Sequence, residues 1–399
     1  MSDPCNAPCP ASAELRALLR HVVGDAATPV PLHAPEIQET EQQFVMDCLR
    51  STFVSSVGRY VNEFEDRLAA FTGARCAVAV SNGTSALHLA LHLAGVRAGD
   101  EVIVPALSFV ATSNAVSHCG AIPHFVDSQF DTMGMDPWVL QDYLQACAEP
   151  TTGGVRNRST GRRIAAIVPM HTFGHPVAMG PLMELAARLG LPIVEDAAES
   201  LGSTIGNVHT GTIGRLGVLS FNGNKLVTTG GGGAILTNDP ELGKLARHLS
   251  TTAKQPHAWE FVHDQVAWNY RMPNLNAALG CAQMEHLGDM LRRKRELAAS
   301  YRQAAQGAAA FAFMAEPAGT RSNYWLNTIR LTPAYAGLRD RVLGDINVQG
   351  YQCRPVWRLL ADLPMYRDCP RAPLPVGRAL EGSLINLPSS PGLAAARPA

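Results

Sequence analysis

The chain has 399 residues, 46% of them hydrophobic, and a formal net charge of −1. That length fits roughly two domains with a sizeable core, and the charge balance excludes a strongly basic nucleic-acid binder or a protein held to an anionic membrane surface. There is no run of about 18 apolar residues to span a membrane and no basic start with an apolar block to act as a secretory leader. Nine cysteines without CxxC pairing predict reduced thiols in a cytoplasmic protein.

Residues 1–30 read as an N-terminal arm: a Pro-rich start with Cys5 and Cys9, expected to be disordered, an amphipathic piece over 13–23 and a Pro-rich entry. Apolar residues at helical spacing predict helices over 38–49 and 61–71, joined by a turn-rich loop with Ser56, Arg59 and Tyr60. Short β-prone runs then alternate with helices. The strands are expected over 76–80, 101–105, 124–127, 164–170, 192–196, 217–221 and 232–237, and the helices over 85–94, 109–118 and 182–189. Seven such runs describe a mostly parallel sheet buried on both faces. Its ligand belongs in the loops at the carboxyl ends of the strands. The polar stretch 151–163 is expected to be an exposed loop. A helix predicted over 291–306 carries Arg292-Arg293-Lys294-Arg295, which reads as a solvated face. The change of pattern near residue 290 predicts a large domain over 31–285 and a smaller α+β domain over 286–399.

The unusual residues sit in the loops that follow the strands. Ser81-Asn82-Gly83-Thr84-Ser85 lies between a strand and an apolar helix, where free N–H groups make either an ordinary N-cap or a phosphate seat. It matches neither a P-loop nor GxGxxG, which disfavours a Rossmann-type nucleotide site. Asp196 ends a strand; it is either a helix cap or a buried anion needing a cation such as a pyridinium nitrogen. Phe109 is core, or lies flat on a cofactor ring with Ala197 on the other face. In HTFGHP, Gly174 and Pro176 argue against a helix that would pair His171 and His175 on a metal. Lys225 stands alone in the turn between two strand-like runs, ahead of four glycines at 230–233. It is a surface lysine on a hairpin, or a Schiff-base lysine.

These motifs together resemble the DegT/DnrJ/EryC1/StrS sugar aminotransferases, a branch of the fold-type-I pyridoxal-phosphate (PLP) enzymes. The resemblance runs from about residue 31 to 391. It rests on SNGTSALHLAL, GDEVIVPALSFVATSNAV, HTFGHP, VEDAAESLGS, LSFNGNK, GGGGAILTND and NYRMPNLNAALGCAQ. It implies a large domain with a seven-stranded, mostly parallel sheet and a smaller α+β domain. It further implies that Lys225 forms the internal aldimine and moves the proton of the 1,3-shift, while Asp196 keeps the pyridine nitrogen protonated. Glu199 would contact the ring hydroxyl and Phe109 would stack on the ring. Gly83, Thr84, Ser85 and Ser220 would hold the phosphate, and Asn269 would reach the cofactor of a neighbouring subunit, so a homodimer with a shared site is expected.

Ser56, Arg59, Tyr60, His171, Arg354 and Trp357 are the sugar-facing candidates, and no metal is expected. The wording of SSVGRYV, SFNGNK, WEFVHD and RPVW is most similar to members that make a 4-amino-4,6-dideoxy-N-acetylhexosamine nucleotide for legionaminic-acid or bacillosamine-type glycans. The implied reaction moves an amine from L-glutamate, released as 2-oxoglutarate, to C4 of a nucleotide-linked 4-keto-6-deoxy sugar, with UDP as the expected nucleotide. A GDP-sugar (perosamine-like) or cyclitol aminotransferase and a PLP-dependent dehydratase are the alternatives. The lysine itself argues against the branch that carries histidine there and removes an oxygen. A PLP- or sugar-binding regulator is disfavoured, because no helix-turn-helix or basic DNA-reading segment accompanies the domain. Relatives continue past LPSS with a last helix where this chain reads GLAAARPA, which leads us to expect a clipped small domain.

Overall fold

A computed structural model describes residues 9–26 and 29–394. Cys5 and residues 395–399 of the last motif lie outside the described residues, but Cys9 does not. The start of the chain is ordered from there: Cys9 is buried as the N-cap of α1 (Pro10–Val23), whose Leu15 and Leu19 are wholly buried. Proline at the first helical position suits a helix start, since its missing N–H is an orphan there in any case. The next elements are α2 (Glu39–Ser51), α3 (Arg59–Thr72), β1 (Cys76–Val80), α4 (Gly83–Leu93), β2 (Glu101–Pro105), α5 (Val110–His118) and β3 (Ile122–Val126). They are followed by α6 (Pro137–Cys147), β4 (Ala148–Thr151), β5 (Gly154–Asn157), β6 (Arg163–Ile167), α7 (Met179–Leu189) and β7 (Val194–Asp196).

A short hairpin, β8 (Thr204–Ile205) with β9 (Val208–His209), precedes β10 (Leu216–Ser220), β11 (Gly233–Thr237), α8 (Pro240–Ser250) and α9 (Asn274–Ala304). Strand β11 is antiparallel to both of its neighbours, β1 and β10, while β7 runs parallel to β10 and β2 runs parallel to β3 and β6. Parallel bridges Ile167–Ile193 and Met170–Asp196 join the two halves, so the strands follow the order β3-β2-β6-β7-β10-β11-β1. The expected seven-stranded, mostly parallel sheet is thus present. Its strands are almost fully buried, which is why their sequences are unbroken apolar runs rather than alternating ones.

Two expectations are corrected. The stretch 151–163 is not a plain loop: β4 and β5 form a hairpin that pairs antiparallel with the start of β6. Its outward residues are polar, so composition hid a pairing set by the sheet edge. The run at 292–295 is not a solvated face either. Only Arg292 is largely exposed; Arg293 forks onto Glu36, Arg295 onto Glu316, and Lys294 is wholly buried. Successive residues on a helix point about 100° apart, and α9 is covered on most sides.

The rest of the chain builds a second sheet. It comprises β12 (Phe311–Phe313), β14 (Asn327–Leu331), β15 (Arg354–Pro355) and β16 (Leu384–Leu387), in the order β12-β14-β16-β15. A short β13 (Thr320–Arg321) pairs instead with β8, and α10 (Arg339–Val348) and α11 (Pro375–Ser383) flank the sheet. One apolar cluster joins this sheet to α1, α10 and the end of α9. The long α9 runs from the large sheet's core, at Ala277 and Cys281, into this one, at Leu297 and Tyr301. Among the described residues no helix is long and apolar enough to cross a membrane.

One buried ion pair ties α3 to the large sheet. Glu65, 3% exposed, accepts from the Ala79 N–H at 2.7 Å, from Arg247 at 2.6 Å and from the Arg271 guanidinium. Removing the carboxylate leaves Arg271 buried and unpaired, which costs about 3–5 kcal/mol. Glu65→Leu is therefore expected to lower the urea midpoint by that equivalent; a loss below about 1 kcal/mol would contradict it.

Candidate active site

The carboxyl ends of β7 and β10, the N-terminus of α4 and the turn after β10 enclose a cavity of about 340 Å³. Gly83, Thr84, Phe109, Asp196, Glu199, Ser220, Lys225 and Trp357 all line it. Residues separated by more than a hundred positions meet there because parallel strands deliver their following loops to one edge of the sheet.

At the α4 N-terminus, Asn82 is the cap. Its side chain accepts from Ser85 N–H at 2.8 Å and its carbonyl from Ala86 N–H at 3.1 Å. The N–H groups of Gly83 and Thr84 remain as helix-start donors at the cavity wall, a seat for an anion. A side chain at 83 would crowd Ser220, since a Cβ there would stand 3.0 Å from Cβ of Ser220. Ser85 belongs to the same turn but is not among the lining residues.

Asp196 closes β7 and is 2% exposed. Its carboxylate accepts from Thr112 Oγ1 at 2.7 Å and from Ala198 N–H at 3.2 Å. Burial pushes its pKa up despite those bonds. Among the described residues no cation lies at salt-bridge distance from it, although a buried carboxylate calls for one. Lys225 reaches the cavity from the turn after β10, its Nζ 3.3 Å from Glu199 Oε1 and 3.8 Å from the centre of the Trp325 ring. Glu199 also accepts from the Phe173 N–H at 2.9 Å. Phe173 and Gly174 have φ of 56° and 95°, and a Cβ on Gly174 would strike Asn323 Oδ1, so only glycine lets this loop close on Glu199.

Burial pushes the Glu199 carboxyl up to about 7, against the pull of Lys225. The folded protein then holds a proton that the unfolded chain releases near the ordinary carboxyl value of 4.5, so stability falls as pH rises from there through about 7. In cofactor-free protein, Glu199→Gln is expected to remove about 2–3 kcal/mol of the stability difference between pH 5 and pH 8. Urea titrations at the two pH values read this directly, and an unchanged slope would refute it.

The remaining candidates fall in three places. Phe109 and Trp357 stand at the cavity, ring centres 6.1 Å apart, with Phe109 49% exposed. Ser56, on the loop before α3, and Arg59 and Tyr60, in the first turn of α3, lie apart from it; Arg59 and the Tyr60 hydroxyl both bind Asp47. Arg354 is exposed and bonds Asn347, and Asn269 is exposed beside Thr251. His171 is wholly buried and does not line the cavity. Val177 N–H donates to its Nδ1 at 3.1 Å, which leaves Nε2–H to face Glu195 at 3.0 Å. Glu195 also accepts from the Gly211, Ile213 and Gly214 N–H groups. Burial raises its pKa, but the His171 and backbone bonds outweigh it and hold the carboxyl below its usual value. The pair braces the loop after β9 rather than meeting a ligand.

Sequence reasoning missed Thr112 and Trp325. Thr112 is signalled only by its place one turn after Phe109; Trp325 comes from the second half of the chain and carries no local signal.

The donors fit PLP group by group: an anion seat for the phosphate, an unpartnered buried carboxylate for the ring nitrogen, an aromatic at the cavity wall, and a lysine within the same space. Fold and site together define a PLP-dependent transferase of fold type I. The model of the DegT/DnrJ/EryC1/StrS aminotransferase family matches residues 35–397, and the chain belongs to that family. It is similar to the GDP-perosamine synthase of Caulobacter vibrioides, 35% identical with 91% of this chain and 94% of that protein covered. The GDP-perosamine synthase of Escherichia coli O157:H7 is also 35% identical, with the same 91% and 94% covered. Among solved structures, the PLP form of the putative sugar aminotransferase Spr1654 from Streptococcus pneumoniae superposes with a TM-score of 0.81 at 25% identity, covering 90% of this chain and 93% of that one. The protein is a PLP-dependent nucleotide-sugar aminotransferase. PLP supplies the electron sink for the amino-group transfer.

Proposed function

We propose that this enzyme moves an amino group from L-glutamate to the C4 ketone of a nucleotide-linked 4-keto-6-deoxyhexose, and that the nucleotide is GDP. The observation that carries the reaction is Lys225 and the buried, cation-less Asp196 opening onto one small cavity. In this reading Lys225 attaches the cofactor and moves the proton, Asp196 holds the ring nitrogen charged, and Glu199 and Phe109 orient the ring. The helix-start donors at Gly83 and Thr84, with Ser220, hold the phosphate. Similarity to two GDP-perosamine synthases favours GDP over the UDP-linked N-acetyl sugar suggested by the wording of the sequence motifs.

The active unit in this reading is a homodimer. Asn269, the loop 53–58 and the start of α3 stand outside the cavity of their own chain. Phe53 and Val57 on one segment and Trp259, Phe261 and Val266 on another are 60, 70, 80, 78 and 90% exposed, apolar side chains suited to cover by a second copy.

An assay of GDP- and UDP-linked 4-keto-6-deoxy sugars with glutamate, read by product mass, tests both parts. We expect the GDP-linked sugar to be aminated with kcat/KM at least about tenfold above the UDP-linked N-acetyl sugar. The reverse order would overturn the GDP assignment. Amination of neither would overturn the reaction.

A further inference from the structure

The amine of Lys225 meets two groups, and only one of them comes from the large sheet. Glu199 lies 3.3 Å from Nζ. The other is the face of the Trp325 indole, 3.8 Å from Nζ to the ring centre. Trp325 precedes β14 in the second half of the chain and is 5% exposed. Its ring nitrogen donates to the carbonyl of Asn224 at 2.8 Å, so the indole is pinned to the residue beside the lysine it covers. An ammonium on an indole face is held by the ring quadrupole, most strongly where water is excluded.

The backbone of Trp325 is held in its turn. Tyr324 adopts φ 48°, a left-handed bend that carries the chain over the turn after β10, and Trp325 N–H donates to Asn323 Oδ1 at 2.8 Å. The Trp325 carbonyl accepts from Lys294 Nζ at 2.9 Å, and the same amine donates to the Ser389 carbonyl at 2.5 Å. Lys294 is wholly buried on α9 and forms no salt bridge with a carboxylate among the described residues. Burial alone holds its pKa well below the usual lysine value. A buried amine with neutral acceptors is costly, and what it secures is the segment that aims the indole.

We propose that Trp325 is the positioning residue that holds the Lys225 side chain toward the cavity, with Lys294 the strut that fixes Trp325. The proposal rests on Lys225 being the attachment point of PLP. A lysine side chain has wide rotamer freedom, and an indole face that confines its end keeps the amine aimed whenever it is not covalently engaged.

The test mixes cofactor-free protein with saturating PLP and follows the borohydride-trappable adduct at Lys225 by mass spectrometry. Non-covalent affinity is measured separately in a Lys225→Ala background. Trp325→Leu is expected to slow adduct formation about tenfold with affinity unchanged, and Trp325→Phe, which keeps a flat ring, to recover it to within about threefold of wild type. Lys294→Met should slow the same step and add nothing when combined with Trp325→Leu. A merely structural role would instead weaken affinity and make the two effects multiply. Adduct formation at the wild-type rate in Trp325→Leu, or multiplying effects, overturns the proposal; if Lys294→Met does not fold, the Trp325 pair decides alone. Wild-type protein that forms no adduct removes the cofactor assignment itself, and this proposal with it.

Discussion

Lys225→Ala is expected to abolish amino transfer, a loss of at least about a thousandfold, while leaving cofactor bound. The two halves of that result have separate physical origins. Lys225 offers an amine inside a cavity of about 340 Å³, with Glu199 and the Trp325 ring as its nearest partners. Among the described residues no other lysine lines that space, so in the proposed reading neither covalent attachment nor the proton transfer has a substitute. The anion seat at the start of α4 does not involve the lysine: it is made by backbone N–H groups that the Asn82 cap leaves free. Dialysed variant should therefore retain PLP non-covalently, shown by cofactor absorbance without a borohydride-trappable adduct. Turnover within about tenfold of wild type would remove Lys225 from the chemistry.

Asp196→Ala is expected to lower kcat by about a hundredfold to ten-thousandfold. The carboxylate sits 2% exposed with only neutral donors, Thr112 and the Ala198 N–H, at hydrogen-bond distance. Burial raises its pKa, so the site destabilises the charged carboxylate, and a bound pyridinium would offset that cost. Removing the carboxylate should leave the ring nitrogen unprotonated and the cofactor a poorer sink. Asp196→Asn separates charge from shape, because its amide oxygen still accepts from Thr112. It should remain nearly as slow as Asp196→Ala while folding normally. A loss below about tenfold for both variants would contradict the pyridinium pairing.

These effects trace to strand ends that are legible locally. The apolar runs leading to Asp196 and Ser220 announce buried parallel strands, and the small-residue turn at 81–85 announces a helix start. Lys225 is conspicuous as the lone cation in its turn. His171, a sugar-facing candidate only by resemblance, bonds Glu195 and Val177 inside the core, because a sequence records that a polar residue is present and not which way its ring is turned.

The sequence by itself determined the large sheet, the class of chemistry and the small, acidic and basic residues that line the cavity proposed for it. Those follow from short-range patterns, apolar runs of strand length and turns that bend where the backbone needs glycine. Only the tertiary structure decided that the 151–163 stretch pairs with a strand edge, that Lys294 is buried, and that Trp325 covers the lysine exactly one hundred positions before it in the chain. Each depends on which distant surface a side chain meets, and α9, long enough to join both cores, is what brings those surfaces together.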